Sequence, residues 1–100
     1  MKSNFNTIIH SNTLVLVDFS AEWCGPCKML APVLKAVKNE LGDAVKIVKI
    51  DVDKNPALAE TYQIRGVPTM LLFKEGKQVW RQSGVLQKSD LVALINAHSR

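Results

Sequence analysis

The sequence predicts an α/β domain built on one mixed sheet with helices on both faces. Three observations carry this. Two continuous apolar runs, TLVLVDF at 13–19 and TMLLF at 69–73, have strand length and suit strands covered on both sides. Other segments place apolar residues three and four apart, which is a helical stripe. Gly, Pro and Asn fall between these segments, so the elements alternate as α, β, α, β, α, β, β, α. With 100 residues, the chain is expected to be a single domain, 1–100.

Each element has its own signal. Phe5, Ile8 and Ile9 follow Ser3 at helical spacing and suggest a short helix over 3–10. The strand at 13–19 comes next. After Cys24-Gly25-Pro26-Cys27, the residues Met29, Leu30, Val33, Leu34, Val37 and Leu41 form a helical stripe that stops at Gly42. Pro32 lies inside that stripe and is expected to kink the helix. Met29 and Met70 count as core by default. VKIVKIDV at 45–52 is rich in β-branched residues and reads as a strand. Asn55-Pro56 looks like a cap and first turn for a helix through Ala57, Leu58, Ala59 and Tyr62, broken by Gly66-Val67-Pro68. Glu75-Gly76 turns the strand at 69–73 into a hairpin partner over 77–82, where Trp80 is expected to pack. Asp90, Leu91, Leu94 and Ile95 mark a last amphipathic helix. The first β-α-β unit implies parallel strands, and the final two strands an antiparallel hairpin.

Composition excludes several classes. The hydrophobic share is 47% and the charged share 22%, which speaks against disorder. No apolar run approaches the ~20 residues needed to cross a bilayer. The first residues do not read as a secretory signal. Net charge is +4, but the basic residues are scattered and interrupted by acids, so no nucleic-acid arm or recognition helix is expected.

Both cysteines lie in one C-x-x-C, whose loop is too small to be a useful staple. Zinc would need four ligands, and only His10 and His98 remain, one near each end. The pair falls between a buried strand and the first turn of a helix, which is the setting of a redox motif. At a helix N-terminus, unpaired N–H groups and the macrodipole favour a thiolate on Cys24. Cys27, one turn in and less exposed, suits the resolving role. Gly25 lets the backbone approach closely, and Pro26 fixes φ where an N–H is dispensable.

The segment VDFSAEWCGPCKMLAP at 17–32 resembles the active-site region of thioredoxins. The likeness continues through KIDVDKNP at 49–56, YQIRGVPT at 62–69, LLFKEGK at 71–77 and the region of Gly84. The resemblance implies a thioredoxin-like mixed sheet and a protein-disulfide reductase working through Cys24 and Cys27. It implies no bound cofactor, with electrons reaching the pair from NADPH through a thioredoxin reductase. It further implies a cytoplasmic monomer acting on disulfide-containing proteins, with no nucleic acid, membrane or metal. The family's first edge strand has almost no residues to form it here. Four strands are therefore expected, with 45–51 at an edge guarded by Lys46 and Lys49.

Supporting residues follow from residue type and resemblance together. Asp18 is a carboxylate inside an apolar strand, so burial should raise its pKa; otherwise it is a solvated strand-end residue. By resemblance it assists proton transfer at Cys27, and Lys49 is its partner, against the reading of an ordinary edge lysine. Val67-Pro68-Thr69 resembles the loop that faces the cysteines, with a cis bond before Pro68. Trp23, Gly25, Pro26, Val67, Pro68, Gly84 and Val85 would border a substrate-contact patch, with core packing the alternative for Trp23. Ser20 stands where many thioredoxins carry Trp. Two other uses of the pair remain open on sequence: a metal site, and a docking module in which the cysteines are dispensable.

Overall fold

In the computed structural model, which describes residues 2–99, the run at 13–19 becomes β1 (Leu14–Ser20), buried along its whole length. The other elements are α1 (Lys2–Ile9), α2 (Gly25–Leu41), β2 (Val45–Asp51), α3 (Pro56–Thr61), β3 (Thr69–Lys74), β4 (Lys77–Ser83) and α4 (Lys88–Ala97). A single 3-10 turn, Gly42–Ala44, links α2 to β2. The strands form one mixed sheet in the order β2-β1-β3-β4. β1 runs parallel to β2 and antiparallel to β3, and β3 runs antiparallel to β4. β2 is an edge strand, as expected, and among the described residues no strand precedes β1.

Strand alternation divides the core into two halves. On one face Leu14, Leu16, Met70 and Leu72 meet Leu30, Leu34 and Val37 of α2 and Leu91 and Ile95 of α4. On the other face Val15, Val17, Phe19, Leu71 and Phe73 meet Phe5 and Ile9 of α1, with Leu58 and Tyr62 at the end of α3. Phe5, Phe73 and Tyr62 pack at ring separations of 5.5 to 5.9 Å, two of the pairs edge to face, which favours the aromatic quadrupoles. Asp18 lies on the α2 face, because its place in the alternation matches that of Leu14 and Leu16. Trp80 packs against the α2 side of the core, as expected.

Three expectations need correction. Met29 is not core: it is 66% exposed, because the buried stripe of α2 runs through Cys27, Leu30, Leu34 and Val37 and leaves Met29 on the outer face. α2 includes Pro32, which sits on its exposed side. Asn55 does not cap α3 with its side chain. Its amide donates to the Asp51 carbonyl, while the Asp51 carboxylate accepts the N–H groups of Asp53 and Lys54. α3 closes at Tyr62 rather than at Gly66, because Gln63 turns to φ 53°.

Candidate active site

The carboxyl-terminal ends of the parallel strands β1 and β2 lie together, and the chain leaves β1 there to enter α2. Open α/β sheets place their sites at such strand ends. Cys24 occupies the N-cap of α2 in an extended conformation. Its Sγ accepts the backbone N–H of Cys27 at 3.1 Å, so the cysteine fills the position usually held by a serine or aspartate oxygen. Cys24 and Cys27 form a disulfide, with Cα atoms 5.3 Å apart. The Cys27 N–H and the positive end of the helix thus point at the Cys24 sulfur.

Both cysteines are nearly sealed, at 3% and 2% exposure, so the expected difference in exposure between them is absent. Position separates them instead. Cys24 Sγ lies 3.6 Å from the Val67 carbonyl oxygen. Cys27 lines a cleft of about 520 Å³, shared with Ala21, Glu22, Lys28, Lys49 and Asp51.

Val67-Pro68 is a cis peptide bond, which sets the Val67 carbonyl against the disulfide. Thr69 fastens this loop: its hydroxyl donates to the Gly66 carbonyl at 2.6 Å and meets Ser83 Oγ at 2.8 Å. Gly84 adds a backbone bond from its N–H to the Pro68 carbonyl, and its φ of 95° suits glycine. Trp23 is 71% exposed, so it is not a core aromatic. Its indole N–H donates to Asp53 at 2.7 Å, which holds the ring at the site's rim. Gly25, Pro26 and Val85 are also exposed.

Beneath α2, Asp18 is 1% exposed, and burial pushes its pKa from 3.8 to about 6. Lys49 stands beside it in the ladder and lowers that value against the larger effect of burial. Asp18 and Lys49 thus stand side by side across β1 and β2. The sequence argument did not foresee Ser20, equally buried two residues on, the tether from Asp53 to Trp23, or the exposed Met29. A polar residue in an apolar strand was the available signal for Ser20; nothing local marked Asp53.

Comparison with known proteins decides among the uses of this arrangement. The thioredoxin family model matches residues 1–97. The chain belongs to the thioredoxin family. It is a thiol–disulfide oxidoreductase, and the Cys24–Cys27 disulfide is its redox group. Among its relatives, a thioredoxin from Chlamydia caviae is 51% identical over 96% of this chain and 92% of its own length. A thioredoxin from Rickettsia prowazekii is 46% identical over 91% of this chain and 87% of its own. Among solved structures, a mutant thioredoxin from Halobacterium salinarum superposes with a TM-score of 0.89 at 40% identity, covering 98% of this chain and 85% of that one. No thioredoxin-family cofactor site is called for by the chemistry, since the two sulfurs carry the electrons. Among the described residues no three of His, Cys, Asp and Glu gather as metal ligands, and no helix is long and apolar enough to cross a membrane.

Proposed function

We propose that this chain is a general reductant of protein disulfides, with Cys24 attacking and Cys27 resolving. The observation that carries the assignment is the N-cap geometry, in which Cys24 Sγ receives the Cys27 N–H at the positive end of α2. A donor aimed at sulfur favours its ionised form, and the thiolate is the attacking species. The Cys24 thiolate attacks one sulfur of a substrate disulfide, and the other sulfur leaves with the electron pair. Cys27 then loses its proton, with Asp18 as the acceptor, and attacks Cys24. The Cys24–substrate bond breaks and the second substrate thiolate departs. The protein keeps the Cys24–Cys27 disulfide, oxidised by the two electrons the substrate gained.

Lys49 acts on Asp18 by tuning how readily that carboxyl takes the proton. Trp23, Gly25, Pro26, Val67, Pro68, Gly84 and Val85 form the surface that receives an extended substrate strand. The Val67 backbone supplies the hydrogen-bonding edge, a short form of strand addition. Residues 1–100 work as a single unit and as a monomer. A thioredoxin reductase, drawing on NADPH, returns the disulfide to the dithiol, and the reaction takes place in the cytoplasm. Reduction of insulin should vanish in Cys24→Ser, whereas Cys27→Ser should accumulate a mixed disulfide visible by mass spectrometry. Activity equal to wild type in Cys24→Ser would overturn the assignment. Equilibration with glutathione should give a potential near the family's typical value of about −270 mV; a value near about −120 mV would make the protein an oxidant.

A further inference from the structure

Among the described residues, two buried side-chain oxygens have no hydrogen-bond partner: Asp18 Oδ1 and Ser20 Oγ. They stand two residues apart on β1, and each residue is 1% exposed. Side chains two apart on a strand share a face, so both oxygens belong to the α2 side of the sheet. Buried polar atoms are nearly always satisfied by protein or by ordered water, and a site with several polar groups is where a water settles. The ladder sets Lys49 beside Asp18 and Asp51 beside Ser20. Lys49 and Asp51 both line the cleft that Cys27 also lines. The residues that carry the two orphan oxygens are therefore ladder neighbours of two residues that line the cleft at the resolving cysteine.

We propose that Ser20 is a positioning residue for the proton transfer: its hydroxyl holds a water against Asp18 Oδ1 and joins that carboxyl to the Cys27 cleft. The proposal rests on the cysteine roles given above. A serine hydroxyl both donates and accepts, so it can pass a proton along a chain of hydrogen bonds. The Cys27 S–H bond breaks, and its proton moves through the water to the Asp18 carboxylate. The Cys27 electron pair forms the bond to Cys24, and the departing substrate sulfur takes the pair of the broken bond. Asp18 then returns its proton to solvent by the same path. Several charged groups bear on this path. Lys49 and Asp51 come from β2, Glu22 from the loop, and Lys28 with the Cys27 thiol from α2, while β3 sets only Met70 opposite Asp18.

The test uses the reduced protein and the chromogenic reagent dithiobis-nitrobenzoate. Attack by Cys24 releases one nitrothiobenzoate, and attack by Cys27 on the mixed disulfide releases the second. Ser20→Ala should leave the first phase unchanged and slow the second about tenfold. It should also move the pH profile of the second phase upward by about half a unit or more, since a donor to the charged carboxylate is lost. Ser20→Thr should restore both, and Ser20→Val, matched to Thr in shape, should not. A second phase equal in Ser20→Ala and wild type, or equal in the Thr and Val variants, would overturn the relay while leaving the cysteine roles intact. Absence of a second phase in the wild type would remove both. Should the variants not fold, the wild-type protein decides. A long-lived water with a nuclear Overhauser contact to the Ser20 methylene supports the relay, and absence of such a contact refutes it.

Discussion

Replacing Asp18 with Asn should make the protein more stable at neutral pH and poorer at its reaction. In the folded chain the carboxyl titrates at about 6, against 3.8 for the free group, because burial disfavours its charge more than Lys49 favours it. Below pH 3.8 the carboxyl is protonated in both folded and unfolded chains, and burial of its charge costs nothing. Between 3.8 and 6 the folded state keeps a proton that the unfolded state has lost, so stability falls as pH rises. Above 6 the whole difference is felt. About two units at about 1.4 kcal/mol each give a penalty of about 3 kcal/mol. Asn has the shape of the neutral acid and never ionises. In urea unfolding of the oxidised protein, Asp18→Asn should match the wild type at pH 3.5. At pH 7.5 it should gain up to about 3 kcal/mol, roughly 2–3 M in the midpoint for a small domain's m-value of about 1 kcal/mol/M. Equal stability of variant and wild type at both pH values would refute the argument that burial of the charge dominates at this site.

Lys49→Gln removes the cation that lowers the Asp18 pKa, so the pH profile of the second nitrothiobenzoate release should rise by less than about one unit, because Lys49 is exposed and screened. Trp23→Ala should raise KM for a protein disulfide about three- to tenfold while leaving reaction with a small aromatic disulfide unchanged, since the ring serves contact and not chemistry. Gly76→Ala places a Cβ in the ring of His10 at a φ of 84°, so calorimetry should show Tm lower by about 5–10 °C with disulfide exchange intact.

The sheet was legible in the sequence because β1 and β3 are covered on both sides, which writes an unbroken apolar run. Asp18 was legible for the same reason, as the one charge inside such a run. Met29 is misplaced because its spacing to Val33 and Val37 admits it to the apolar stripe, while the inward line of α2 runs through Cys27, Leu30, Leu34 and Val37. Successive residues on a helix differ by about 100°, and Leu30 already holds the inward position. The start of α3 at Asn55-Pro56 was legible, but the partners of its side chains were not: Asn55 and Asp51 can both serve the turn, and the fold gives the turn N–H groups to the Asp51 carboxylate. The tether from Asp53 to Trp23 spans thirty residues of sequence, so no local pattern could show it.

Exposure does not distinguish the two sulfurs, since both are nearly sealed in the disulfide. What distinguishes them is direction. Cys24 faces the Val67 carbonyl and the helix terminus, where a negative charge is favoured and an extended chain has a backbone edge to join. Cys27 faces the cleft beside Lys49, on the side of the sheet where Asp18 holds a proton site tuned towards neutrality. Ionisation at the first sulfur is therefore a property of α2, while ionisation at the second is a property of β1 and β2. The two halves of the reaction can then be altered separately. Substitutions at Asp18, Ser20 or Lys49 should act on resolution, and substitutions at Trp23 or Val67 on attack. A Lys49 variant that slowed the first nitrothiobenzoate release as much as the second would contradict that division.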